Sequence, residues 1–329
     1  GADSPLLGRL GRTHPLLTIP PQRATIITAK GTCTGGVSAV EHTALRREKE
    51  RIVTMIAEKM KPLVNNNSAI RAMFEEGKRL AAQYGAENVY DFSLGNPNVP
   101  APAEVNQAII DLVNEEDSVF LHGYMSNAGY EDVRRTVAQS LNSRFGTHFH
   151  ENNILMTVGA ASGLNVILKT LLNPGDEVLT FAPYFVEYGN YVRNYDGNLV
   201  VVSPNTETFE PNLAEFAEKI GSRTKAVIIN TPNNPTGVVY SAETLTAMAD
   251  ILRRKQEELG TDIAIISDEP YRELAYDGVE VPYVTKFYDN TVICYSYSKS
   301  LSLPGERIGY LVIPDAFKDS EEVFGAAVI

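Results

Sequence analysis

Seven short runs of β-type residues fall between residues 153 and 313, and helix-patterned stretches separate the first five of them. The runs are NILMTV (153–158), EVLTF (177–181), NLVVV (198–202), KAVIIN (225–230), DIAIIS (262–267), TVICYSY (291–297) and RIGYLVI (307–313). The stretches between them are SGLNVILKTLL, FVEYGNYVRNY, NLAEFAEKI and AETLTAMADILRRKQEEL. Most of the runs are apolar along their length rather than alternating, so both faces of each strand need cover. That pattern predicts a three-layer α/β/α domain around a mainly parallel sheet of about seven strands, with part of a smaller second domain. The last link, 297–307, is too short for a crossover helix, so the final strand is expected to run antiparallel and return along the sheet edge.

At 329 residues the chain exceeds the size at which a single core stops growing, so one large or two unequal domains are expected. Residues 1–50 hold seven Lys/Arg against four Asp/Glu, net +3, while the whole chain carries −12, so the rest carries −15. This first part is Gly-, Pro- and Thr-rich without periodicity and begins with Gly; it reads as a disordered or foreign leader, with a transit peptide as the other possibility. Residues 51–100 read as a helix and arm of the smaller domain: Ile70, Met73, Phe74 and Leu80 share a side, and Ser68 is a plausible N-cap. Gly95, Pro97, Pro100 and Pro102 then interrupt the chain before a helix over 103–113. Residues 101–313 are assigned to the large domain, and 314–329 to the start of a truncated C-terminal small domain.

The acidic balance argues against nucleic-acid binding, and no run of 18 apolar residues predicts a membrane span. Two cysteines, Cys33 and Cys294, are too few for a disulfide framework and point to a reducing, cytoplasmic setting. His148 and His150 lack a third ligand nearby and read as structural or solvated rather than as a metal pair.

Open parallel sheets bind ligands beyond the carboxyl ends of their strands, so the residues that follow each run carry the weight. GAASG (159–163) opens a helix with small residues, which suits a phosphate but also suits close helix–sheet packing. APYFVEY (182–188) offers Phe185 either as a ring-stacking face or as core. NTPNNPTG (230–237) fixes Asn234 in a stiff turn. SDEPY (267–271) places Asp268 at a cleft floor, where a buried carboxylate needs a cationic partner, with the phenol of Tyr271 close by. SYSKS (296–300) puts the amine of Lys299 at the edge of an apolar site, where it loses its proton easily. A phosphate turn, a stacking ring, an amide, a buried acid and an amine together describe a planar, phosphorylated, cationic-ring aldehyde, pyridoxal 5′-phosphate. Neither G-x-G-x-x-G nor G-x-x-x-x-G-K-[ST] occurs.

From Asn67 to Ile313 the sequence resembles the class I/II aminotransferases of the fold type I pyridoxal-phosphate enzymes. The match is carried by Ser296–Lys299 with Gly305, Arg307 and Gly309, by NNPTG and by SDEPY. The resemblance implies that Lys299 forms the Schiff base and shuttles the proton between Cα and C4′, while Asp268 keeps the ring nitrogen protonated. It implies that Tyr271 and Asn234 bond the ring's phenolic oxygen and that Phe185 stacks on the ring. Ser296, Arg307 and the backbone of Ala160 and Ala161 would hold the phosphate. Tyr124 would reach the phosphate in the partner subunit of a homodimer, and Gly95 would lie over the substrate carboxylate. The implied activity is ping-pong transfer of an amino group from an L-amino acid to a 2-oxo acid. The alternatives are a β-lyase, synthase or decarboxylase of the same fold, or a non-catalytic cofactor-binding module. The family's carboxylate-binding arginine lies beyond the last residues here, EEVFGAAVI, so a piece of a longer enzyme with poor turnover is expected.

Overall fold

The structure is a computed structural model that describes residues 55–65, 69–93 and 95–329. The leader (1–50), the Ser68 cap and the Ile70 side chain lie outside the described residues. The chain divides into two units, Gly1–Val89 and Tyr90–Ile329. In the first, α1 (Ala69–Tyr84) is the main element; Phe74 and Leu80 are half-buried, whereas Met73, expected on the same side, is 53% exposed.

The second unit opens with α2 (Ala103–Glu115) and α3 (Glu131–Phe145). The alternation then runs β1 (Ile154–Thr157), α4 (Ala160–Leu171), β2 (Glu177–Phe181), α5 (Tyr188–Asn194), β3 (Asn198–Val202), α6 (Leu213–Lys219), β4 (Thr224–Asn230), α7 (Ala242–Leu259), β5 (Ala264–Asp268), β6 (Thr291–Ser296), β7 (Gly309–Val312) and α8 (Ser320–Val328). All seven expected strands are present, and one sheet holds them in the order β1-β7-β6-β5-β4-β2-β3. Strands β2 to β6 pair in parallel, and β7 is antiparallel to both its neighbours, as its short approach requires.

One expectation is corrected. The last strand does not return along the sheet edge; it is inserted between β6 and β1, and all four of its residues are buried. Gly309 makes the insertion feasible. A Cβ there would lie 2.4 Å from the Tyr295 carbonyl oxygen and 2.9 Å from Gly159 Cα.

The buried strands explain the unbroken apolar runs. Val227 and Ile229 of β4 face a core closed by Val137 and Leu141 of α3 and Leu245, Met248 and Leu252 of α7. Ala226 and Ile228 face the opposite core, closed by Leu164, Ile167 and Leu168 of α4 and Tyr188 and Val192 of α5. Successive side chains therefore point to different layers, and each needs its own helix cover. Phe317 and Ala327, before and within α8, belong to the second core. His150 caps the turn before β1 and meets Asp315 at 3.1 Å, which ties that turn to the loop after β7.

Candidate active site

The carboxyl ends of β4, β5 and β6 converge with the turn after β1, all within the Tyr90–Ile329 unit. Asp268 ends β5 and is buried at 5% exposure. Its Oδ2 accepts a 2.6 Å hydrogen bond from the hydroxyl of Tyr188, while Oδ1 has no partner. Burial pushes the carboxyl up to about 7; the Tyr188 bond opposes the rise, and the neighbouring Glu269 adds to it. Glu269 is itself satisfied by Arg272 at 2.6 Å and by the Ser267 hydroxyl at 2.8 Å, and that guanidinium packs over the rings of Phe145 and Tyr283.

An amide chain connects the ends of β4 and β5. Asn230 Nδ2 donates to the Asp268 carbonyl at 2.7 Å, and Asn230 Oδ1 accepts from the Asn234 backbone N–H at 2.6 Å. Asn234 Nδ2 then donates to the Tyr271 hydroxyl at 3.0 Å. The expected Asn234–Tyr271 pair is thus brought together, with Asn230 as its unforeseen support. Burial and the charge of Asp268 raise the Tyr271 phenol, and the Asn234 amide partly counters them.

Lys299 lies in a helical turn (Tyr297–Ser300) directly after β6. Ser296 caps that turn: its Oγ accepts from the Ser298 N–H at 3.2 Å and lies 2.7 Å from the Ser298 hydroxyl. Ser296, expected at the phosphate, is buried with its hydroxyl engaged in this cap. The Lys299 ammonium donates to the Gly95 carbonyl, so two residues 204 positions apart meet. Partial burial lowers the lysine pKa, favouring the free amine.

Across the site, Gly159 (φ +93°) precedes α4 and places Ala160 and Ala161 in its first turn. Arg307, itself at φ +55°, donates through Nη2 to the Val158 carbonyl at 3.3 Å and through Nη1 to that of Pro304 at 3.0 Å. A Cβ on Gly159 would stand 2.8 Å from Arg307 Nη2, and the φ of +93° is one that glycine adopts without strain, so glycine suits this close approach of the guanidinium to the helix N-terminus. Free backbone N–H groups, the positive end of a helix and a guanidinium are groups that could hold an anion here. Phe185 meets Tyr188 edge-on, with centroids 5.7 Å apart at 82°. Tyr124 is fully exposed, and no hydrogen bond ties it to this cluster among the described residues.

The sequence reasoning overlooked Tyr188, Asn230, Gly159 and Ser298 as individual contributors. Each lies inside a segment already singled out. Tyr188 falls three residues after Phe185, the one signal that could have identified it.

The family model described as aminotransferase class I and II matches residues 86–327. The aspartate aminotransferase of Pyrococcus horikoshii is 31% identical over 270 residues, 82% of this chain and 64% of that protein. A solved aminotransferase from Eubacterium rectale is 50% identical with a TM-score of 0.81, covering 84% of this chain and 70% of that one. The aspartate aminotransferase of Thermus thermophilus, solved with maleate, is 29% identical with a TM-score of 0.69, over 79% of this chain and 64% of the other. The chain spans less than two thirds of the length of curated relatives such as the Pyrococcus protein. With a matching family model across most of its length and a shared sheet, the chain belongs to the class I and II aminotransferase family.

Proposed function

We propose that this chain uses pyridoxal 5′-phosphate to move an amino group from an L-amino acid to a 2-oxo acid. One observation carries the proposal: a buried carboxyl with an unpartnered oxygen ends β5, and a lysine of lowered pKa stands in the turn directly after β6, its parallel neighbour. The residues present fit the cofactor. Asp268 Oδ1 wants a cationic N–H, the Gly159–Ala161 turn with Arg307 suits a phosphate, and the Asn234–Tyr271 pair can bond a phenolic oxygen.

When bound, the cofactor supplies an aldehyde that captures amines and a protonated ring that takes up electrons from Cα. The protein's own residues do the rest. The Asp268 anion holds the proton at the ring nitrogen. Lys299 Nζ, eased toward its neutral form, serves as nucleophile and moves a proton at the substrate Cα. Phe185 would cover a face of the ring, and Gly95, whose carbonyl accepts from Lys299, would lie beside the substrate. Ser296 sets the turn that carries the lysine.

Relatives named as aspartate aminotransferases support aspartate as the first donor to test. Fully exposed Tyr124 supports a homodimer in which it reaches the partner's site. A cytoplasmic location accords with the chain's two cysteines, of which Cys294 is free and buried. Among the described residues no helix is long and apolar enough to cross a membrane. In the same proposal residues 101–313 form the cofactor domain and 51–100 contribute to a smaller one; residues 314–329, expected with the smaller one, pack through Phe317 and Ala327 on the second core of the large one.

The test is to mix the purified chain, pyridoxal phosphate and L-aspartate and to quantify 2-oxo acid and pyridoxamine phosphate. Equal amounts of both support amino transfer. Release of ammonia, carbon dioxide or an eliminated group instead would replace it with a lyase or decarboxylase.

A further inference from the structure

The Tyr188 hydroxyl is the one side-chain donor that Asp268 receives among the described residues. Tyr188 is 1% exposed and opens α5, an element that no sheet hydrogen bond ties to β5. Its ring is sandwiched in an aromatic group, stacked on Tyr184 (6.4 Å, 11°) and edge-on to Phe185. Phenylalanine would fill that space as well, so packing alone does not call for the hydroxyl.

We propose that Tyr188 is a positioning residue: its hydroxyl anchors Oδ2 of Asp268, which leaves Oδ1 for a cationic ring nitrogen and keeps the carboxyl an anion. The inference rests on the cofactor reading above. The titratable groups acting on or answering to Asp268 are Tyr188 and Tyr191 of α5, Glu269 and Tyr271 beyond β5, and Cys294 opposite it on β6. None of these is a cation, and Arg272 is turned to Glu269. The phenol therefore supplies the stabilisation that a cation would otherwise give, and it opposes the burial that pushes Asp268 up to about 7.

The test uses Tyr188→Phe, Asp268→Asn and the double variant in the full chain, each first checked for folding by circular dichroism. Dissociation constants are measured between pH 6 and 9 for pyridoxal phosphate and for its analogue with a ring carbon in place of the nitrogen. Tyr188→Phe is expected to weaken pyridoxal phosphate roughly tenfold at pH 7, given the strength of a hydrogen bond to a charged group. The loss is expected to shrink toward pH 9, to be absent with the carbon analogue, and to vanish in the Asp268→Asn background. An equal loss with the analogue, or one that persists in the double variant, would overturn the proposal and leave Tyr188 as packing. The cofactor-free protein gives an independent readout in the pH dependence of its thermal unfolding. A transition displaced upward in Tyr188→Phe supports the coupling; an unmoved one overturns it. Failure of the wild-type chain to bind pyridoxal phosphate would defeat the cofactor reading itself, while that unfolding profile still reports the Tyr188–Asp268 bond.

Discussion

The two ends of the site are built on opposite plans. At the ends of β4 and β5, buried Asn230, Asp268 and Tyr188 and half-buried Asn234 and Tyr271 are linked by side-chain and backbone hydrogen bonds. At the turn before α4, the work falls to backbone N–H groups and to one exposed guanidinium that, among the described residues, donates to two carbonyls. In the proposed reading, the difference follows from the charge each end would meet. A cationic ring nitrogen needs a carboxylate kept away from water, and burying one is costly without support. A phosphate carries charge enough to be held at the wet rim by a helix N-terminus and an arginine. The buried end is therefore sensitive to pH and to single hydroxyls, and the rim end to charge and backbone conformation.

The largest effect is expected from Lys299→Ala, which leaves both ends intact but removes the amine between them. Aspartate-dependent 2-oxo acid formation should fall roughly 10⁴-fold, the upper range for loss of a positioned proton-transfer group. A smaller loss in a rate assay would mean that another base serves the site.

Asp268→Asn sharpens the contrast through stability. A carboxyl pushed from its ordinary 3.8 to about 7 binds its proton more tightly in the folded state. The cofactor-free protein should therefore be most stable below the unfolded value and lose stability as pH rises from about 4 to 7. From this one group the loss is about 4 kcal/mol. The Asn variant should flatten that slope in denaturant titrations at pH 5 and pH 8 and bind the cofactor more weakly. A slope unchanged by the substitution would show that Asp268 does not titrate as described.

At the rim, Arg307→Ala should weaken pyridoxal phosphate by roughly ten- to a hundredfold and leave phosphate-free pyridoxal nearly unaffected. Gly159→Ala should act in the same sense, because the new methyl meets Arg307 Nη2 at 2.8 Å and the φ of +93° strains an alanine there. Equal losses for both ligands would place these residues outside a phosphate site.

Much of this arrangement was legible because strands buried on both faces leave an unmistakable apolar signature, and each is followed at once by its chemistry. Lys299, Asp268 and Arg307 stand out as polar residues beside apolar runs. What escaped depends on three-dimensional pairing. Tyr188 looks like any core aromatic until α5 is laid beside the end of β5. Asn230 reads as the close of a strand, though its amide spans two strands. Helix α3 was missed because EDVRRTVAQSLNSRF is mostly polar, and its core face rests on few residues such as Val137, Ala138 and Leu141. The interior place of β7 was missed because a short link constrains direction but not which neighbours a strand takes.

The most direct test is to incubate the chain with equimolar pyridoxal phosphate, reduce with borohydride and map the product by peptide mass spectrometry. One phosphopyridoxyl group per chain, on Lys299 and absent in Lys299→Ala, is the expected result. Label scattered over surface lysines, or none on a folded chain, would contradict the claim that the ends of β5 and β6 form a pyridoxal-phosphate site.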